Sequence, residues 1–194
     1  MTERSAIIER KTRETAVSCE LYLDVRKNAD VRTGLGFLDH MLTSLATHAG
    51  FGLTLSCEGD TFVDDHHTAE DCCLVVGQAI DRALGDRAGV VRFADAYVPM
   101  DEARARASVD LVTRPCAVVD LALVREKIGD VATENLTHGL ETLITNARMT
   151  AHVDVLRGRN DHHKAEAAFK ALARALRSAW TIVEDGGAST KGTL

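Results

Sequence analysis

Asp65-His66-His67-Thr68-Ala69-Glu70 recurs 96 positions later as Asp161-His162-His163-Lys164-Ala165-Glu166, and this repeat decides how the chain is read. Toward the N-terminus the spacing becomes 98, which lays His40-Met41-Leu42 on His138-Gly139-Leu140, His48 on Asn146 and Ala49 on Ala147. An internal duplication with a small loop difference accounts for both spacings.

Working outward, Val17, Cys19, Leu21, Leu23 and Val25 alternate with polar residues, the period of a half-buried strand. Leu38, Met41, Leu42, Leu45 and Ala49 recur at three and four, predicting a helix from near Phe37 that stops at Gly50. Leu53, Leu55 and Cys57 alternate again. After the Glu58-Gly59-Asp60 turn the doublet opens a helix that Ala69, Cys72, Cys73, Val76, Ile80 and Ala83 carry to Gly85. The second half repeats this plan, with alternating stretches over 91–98, 103–111 and 116–123, a helix over 135–147, a strand through Val155 and a last helix over 161–183. The only prolines are Pro99 and Pro115, and no Ser/Gly linker separates the halves. The expectation is one α+β unit over 1–194 with pseudo-repeats 1–88 and 89–185 and a tail over 186–194.

Composition excludes several classes. The 194 residues carry 23 Lys+Arg against 29 Asp+Glu, a net charge of −6, with 27% charged residues, which is ordinary for a globular chain. An acidic balance without a basic block argues against nucleic-acid binding. No stretch approaches the roughly 18 apolar residues of a membrane span, and the first residues lack the apolar core of a secretory signal, so a cytoplasmic protein without membrane contact is expected. Cys19, Cys57, Cys72, Cys73 and Cys116 are odd in number and form no C-x-x-C pair, so buried, reduced thiols are expected rather than disulfides or thiolate zinc.

Helix geometry turns the doublets into metal candidates. At about 100° per residue, His66 and Glu70, like His162 and Glu166, lie about 40° apart on one face, while His67 and His163 point about 100° away. The first pair can grip one ion and the intervening histidine can reach a second, shared with another surface. With His40 and His138 the set is six imidazoles and two carboxylates, four protein ligands for each of two ions. Nitrogen and oxygen donors without thiolate suit an octahedral-leaning ion such as Mn²⁺ or Fe²⁺. His48 and His152 have no matched histidine and are assigned to structure or to hydrogen bonding on the substrate side.

The residues also carry a family resemblance over nearly the whole chain. Gly34-Leu35-Gly36-Phe37-Leu38-Asp39-His40-Met41-Leu42, both Asp-His-His strings, Val98-Pro99-Met100-Asp101-Glu102, Arg114-Pro115 and Ser189-Thr190-Lys191-Gly192 resemble the imidazoleglycerol-phosphate dehydratases. The chain departs from the family at Ala188, where a proline is usual, and at Ser44, where a glutamine is common. The resemblance implies a tandem duplication in which each half is a mixed β-sheet with helices packed on one face, of the ribosomal protein S5 domain 2-like kind. It further implies two Mn²⁺ per active site, a homo-oligomer of 24 subunits with sites between subunits, and a hydro-lyase of histidine biosynthesis. The reaction it implies is dehydration of D-erythro-imidazoleglycerol phosphate to imidazoleacetol phosphate. A histidinol-phosphatase activity, fused in some members, is not expected.

The site residues that the resemblance implies are as follows. His40, His66, His67, Glu70, His138, His162, His163 and Glu166 are the metal ligands, and all of these except His138 and Glu166 also contact substrate. Glu14, with Glu70 and Glu166, is catalytic, and Glu14 touches substrate as well. Arg92, Arg114, Lys170, Ser189, Thr190 and Lys191 bind the substrate, chiefly at its phosphate. The chemistry needs such a site because the proton to be removed lies beside an imidazole with no carbonyl to acidify it, so the ring must be the electron sink. Two other readings of the residues remain open here: a dinuclear phosphoesterase, since Asp-His-His strings also serve two-metal hydrolysis, and a non-catalytic metal-binding cage.

Overall fold

The computed structural model describes residues 4–26 and 28–183. Ser189, Thr190, Lys191 and the rest of the expected tail over 186–194 lie outside the described residues.

The first half runs β1 (Ser5–Lys11), β2 (Thr15–Tyr22), β3 (Asp30–Arg32), α1 (Gly36–Ala49), β4 (Gly52–Gly59) and α2 (His66–Leu84). The second runs β5 (Phe93–Met100), β6 (Ala103–Asp110), β7 (Cys116–Asp120), a small hairpin β8 (Lys127–Ile128) and β9 (Val131–Ala132), α3 (Thr133–Asn146), β10 (Thr150–Arg157) and α4 (Asp161–Ala179). The sheets have matching orders, β1-β2-β4-β3 and β5-β6-β10-β7. Each has two antiparallel pairs and one parallel pair, β3 with β4 and β7 with β10. The expected duplicated α+β architecture with mixed sheets is therefore the observed one. The β8–β9 hairpin belongs to the second half only and fills the longer connection between β7 and α3.

Both pairs of helices lie on the inner faces of the two sheets, and they pair across the halves. α1 packs on α4, and α2 packs on α3, while α2 covers β1 and β2 and α4 covers β5 and β6. One continuous apolar core results, with Cys19, Leu21, Leu53 and Leu55 facing in from one sheet and Ala105, Ala107, Ala151 and Val153 from the other. α4 has Ala165, Ala167, Ala168, Ala171, Ala173, Ala175 and Ala179 fully buried, because small side chains let it lie between a sheet and α1. The two helices of each pair run parallel: His40 meets His162 near their starts, and Gly50 meets Arg177 near their ends.

Local chemistry sets the ends. Gly50 adopts φ 80 and closes α1 through its N–H to the Ala46 carbonyl, as a left-handed glycine cap does. α4 stops at Ala179, four residues short of the expected 183, because its continuation is captured by another backbone. Val91 and Arg92 donate to the carbonyls of Thr181 and Ala179, and Val183 donates to Gly89, an antiparallel pairing that a helix cannot share. At the junction of the halves Arg87 is buried, and its guanidinium donates to the carbonyls of Val112, Ala147 and Arg148 and to Asp81. The buried charge is thereby matched, and the linker is anchored to the end of α3.

Cys19, Cys72 and Cys73 are buried free thiols as expected, and burial pushes Cys19 and Cys73 up to about 12. Two cysteines depart from that expectation: Cys57 is half-buried, and Cys116, which starts β7 on the face turned from the core, is exposed. No helix among the described residues is long and apolar enough to cross a membrane.

The close approach of α2 to α3 depends on glycine. A Cβ on Gly77 would stand 2.5 Å from the Leu143 carbonyl oxygen and 3.0 Å from the Ala147 nitrogen, both backbone atoms that cannot rotate aside. Removing a mid-helix glycine gains at most about 1 kcal/mol of helix propensity, whereas forced overpacking costs about 1–3 kcal/mol, more when backbone must move. Gly77→Val is expected to lower the melting temperature of metal-free protein by roughly 2–8 °C, from about 2–4 °C per kcal/mol in a chain of this size. Differential scanning calorimetry checks this, and an unchanged or raised melting temperature would contradict the packing described.

Candidate metal centre

All four helices begin at the same end of the molecule. Asp130, in the turn of the β8–β9 hairpin, accepts hydrogen bonds from the Gly36 and Phe37 N–H groups at the start of α1. Asp65, just before α2, accepts from Ala132 N–H at the start of α3 and from Asn135 Nδ2. Each half thus caps a helix of the other, satisfying N–H groups that a helix start leaves unpaired. Asp71 accepts from Arg10 and Thr15 and ties the first turns of α2 to β1 and β2. Asn160 caps α4 by accepting from His162 N–H.

This arrangement gathers two clusters, each built from both halves. His40 joins His162 and Glu166, and His138 joins His66 and Glu70; within each cluster three ligand atoms lie within 4.8 Å of one another. In the first, His40 Nε2 and His162 Nε2 stand 3.5 and 3.3 Å from Glu166 Oε2. In the second, His138 Nε2 is 3.2 Å from Glu70 Oε1 and His66 Nε2 3.9 Å from Glu70 Oε2. Two imidazole nitrogens and a carboxylate within this reach fit a divalent transition ion with positions left open for further ligands. The pairing of His and Glu at i and i+4 follows the expectation from helix geometry.

His67 and His163 turn away from the clusters beside them, their rings at 77° to His66 and 85° to His162. Each is held by carboxylates. His67 Nδ1 donates to Asp60 at 3.1 Å, with Glu14 Oε1 at 3.8 Å from Nε2. His163 Nδ1 donates to Glu102 Oε2 at 2.7 Å, with Asp101 at 3.7 Å from Nε2. These bonds place the ring proton on Nδ1 and leave the Nε2 lone pair pointing outward. His66 is set likewise: Asn135 directs its amide N–H at Asp65, so its Oδ1 accepts from His66 Nδ1 at 2.9 Å and Nε2 faces Glu70.

The electrostatics follow from these contacts. The Asp60 hydrogen bond raises the His67 pKa, helped by the Glu14 charge, and the Glu102 hydrogen bond raises that of His163. Glu102 itself is pulled down to about 2 by His163 and by the N–H groups of Asn160 and Arg159. Burial pushes the Glu166 carboxyl up, but Lys170, at 2.7 Å, and His40 outweigh it and hold the group below its usual range. Burial and the Lys170 charge lower His48, which lies on α1 facing that lysine. His152 is exposed on β10, away from both clusters.

Other expected site residues lie elsewhere in the chain. Arg92 pairs with Asp110 at 2.8 Å and its N–H binds Ala179 O at the far end of α4, roughly 25 Å along the helix from His162. Arg114 precedes β7, its carbonyl accepting from Thr150 at the start of β10, while α4 follows the end of that strand. Neither reaches a cluster within this chain. Asp60, Glu102 and Asn135 are site residues that the sequence reading did not assign. Glu102 stood inside a quoted motif without a role, and only the histidine partners give these residues meaning.

The comparisons fall on the same residues. The family model described as Imidazoleglycerol-phosphate dehydratase matches residues 33–176, which include both clusters. The chain belongs to the imidazoleglycerol-phosphate dehydratase family. It is 49% identical to the imidazoleglycerol-phosphate dehydratase of Candida glabrata, over 97% of this chain and 99% of that protein. The Roseiflexus protein of that name is 52% identical over 98% of both. A Phytophthora nicotianae protein of that name is 54% identical over 98% of this chain, which spans only 42% of that relative's length. The solved dehydratases of Staphylococcus aureus and Pyrococcus furiosus superpose with TM-scores of 0.81 and 0.83 at 37% and 35% identity, over 92% and 96% of this chain and the whole of each. Membership makes the chain a dehydratase, hence a hydro-lyase, and sets the phosphoesterase and inert-cage readings aside.

Histidine titration checks the contacts. In metal-free protein His67 and His163 are expected to titrate above 6.5 and His48 below it, and Glu102→Gln is expected to return His163 toward the ordinary value. The midpoints of the Cε1–H NMR signals read this directly. A His163 midpoint unmoved by Glu102→Gln would show that the hydrogen bond does not govern the ring.

Proposed function

We propose that the chain is a Mn²⁺-dependent imidazoleglycerol-phosphate dehydratase of histidine biosynthesis, converting D-erythro-imidazoleglycerol phosphate to imidazoleacetol phosphate in the cytoplasm. The observation that carries the reading is the pair of His-His-Glu clusters at matched places in the two halves, within the residues the family model covers. When bound there, two divalent ions would supply Lewis acidity to the substrate's imidazole nitrogens and hydroxyls.

The ligands proposed are His40, His162 and Glu166 for one ion and His66, Glu70 and His138 for the other, with His67 and His163 presenting Nε2 outward to complete sites on neighbouring subunits. Their Nδ1 bonds to Asp60 and Glu102 fix the rings and thereby the direction of that donation. Glu14, in the turn before β2, is the proposed proton carrier: its carboxylate is half exposed beside His67 and free to reach a substrate held there. Glu70 and Glu166 are placed with the catalytic groups because they would hold the ions. Lys170, Arg92, Arg114, Ser189, Thr190 and Lys191 are proposed to hold the substrate, chiefly its phosphate. The distance of Arg92 and Arg114 from the clusters of their own subunit supports active sites shared between subunits, within an assembly of 24.

Chelator-stripped protein is expected to lose turnover of imidazoleglycerol phosphate and to regain it with Mn²⁺, while the His66→Ala/His162→Ala double variant stays inactive in both conditions. Glu14→Gln is expected to lose at least about 100-fold in kcat, the usual worth of a positioned acid or base, with metal content unchanged. Turnover indifferent to chelation would contradict the metal reading, and near-normal kcat in Glu14→Gln would contradict the role of Glu14.

A further inference from the structure

The two clusters are copies of one design, yet their surroundings differ at two matched positions. Four residues after each glutamate, α4 carries Lys170 where α2 carries Leu74. Three residues before each partner histidine, α1 carries Phe37 where α3 carries Asn135. Lys170 Nζ lies 2.7 Å from Glu166 Oε1, so one oxygen of that carboxylate is already engaged by a cation and only Oε2 faces the histidines. Both oxygens of Glu70 face histidines. Asn135 accepts the His66 Nδ1 proton, whereas the Phe37 ring packs edge-on at 5.1 Å from His162 and has no acceptor to offer.

We propose that the clusters are unequal cation sites: His66, Glu70 and His138 bind a divalent ion first and more tightly, and His40, His162 and Glu166 bind the second more weakly. The inference rests on the metal reading above and goes beyond it by ranking the sites. Two effects compete. The Glu166 side chain is only 10% exposed against 37% for Glu70, which strengthens its attraction for an ion. The same burial strengthens the repulsion between that ion and Lys170, and the ammonium cancels the formal charge that the carboxylate brings. The cluster of Glu70 keeps its full negative charge, and ligand charge count governs hard-cation affinity. The Asn135 hydrogen bond adds to the difference by fixing the His66 ring and raising its basicity, as partners behind a ligand do.

Titration of Mn²⁺ into the chelator-stripped full chain, followed by calorimetry and by the EPR signal of free Mn²⁺, reads both sites without reference to activity. The expected result is two classes, one ion each per subunit, with dissociation constants about 10–100-fold apart, the usual weight of such outer partners. His138→Ala should remove the tight class and His40→Ala the weak one. Lys170→Leu, or Lys170→Gln should leucine disturb the helix, should tighten the weak class at least about fivefold, while Lys170→Arg keeps it weak. One class of two equal ions, loss of the tight class in His40→Ala, or a weak constant unmoved by both neutral variants at Lys170 would overturn the ranking while leaving the metal reading intact. No saturable binding at all would overturn the metal reading, and the ranking with it.

Discussion

The pairing of helices across the duplication is the constraint on which the rest depends. Neither half contains a complete cluster: His40 comes with α1 and must meet α4, and His138 comes with α3 and must meet α2. The pairs can run this close because the facing positions are small. Gly77 and Gly139 let α2 and α3 touch backbone to side chain, and alanine lines α4 where it meets α1 and its sheet. Large-to-small changes elsewhere in such a core cost about 2–5 kcal/mol, but at these positions the opposite change, from small to large, does the damage. A site made of parallel helices from two halves holds its geometry only while both halves are folded and docked.

Bringing four helix starts to one end has an electrostatic cost for a cation site, since each start carries about half a positive charge. The chain meets it with aspartates. Asp65, Asp130 and Asp161 sit at or near helix starts and accept backbone N–H groups from Ala132, from Gly36 and Phe37, and from Val124 and Arg125. Asp39 in the first turn of α1 accepts from Thr33. Asp65 and Asp130 consume unpaired donors at the starts of α3 and α1, and all four carboxylates offset the dipoles, so the proposed histidine and glutamate ligands beside them face a field that would tolerate a divalent ion. The bonds are also mechanical ties, because those of Asp65 and Asp130 run from one half to the other.

Much of this was legible in the sequence because duplication repeats its evidence twice. The doublets, the i and i+4 glutamates and the two matched histidines were found by identity of residue type at fixed spacing, and the structure brings six of those eight residues into two clusters. Less legible was which histidine joins which helix, since that is decided by packing between halves through glycine and alanine, residues that carry no chemical label. β1 was missed because Ile7 and Ile8 put apolar side chains on both faces and spoil the alternation, Ile7 being 58% exposed. The end of α4 was overrun because the residues after Ala179 pair with the chain at 89–92, a long-range competition that helical periodicity does not register. Differences between the copies, Phe37 against Asn135 and Lys170 against Leu74, escape any search that rewards likeness.

The central claim is that two ions sit in clusters each assembled from both halves. Anomalous diffraction at the manganese edge from crystals of the Mn²⁺-loaded protein tests it most directly. The account predicts two peaks per subunit, one bounded by His40, His162 and Glu166 and the other by His66, Glu70 and His138. A single peak, or peaks ligated by histidines of one half alone, would contradict it.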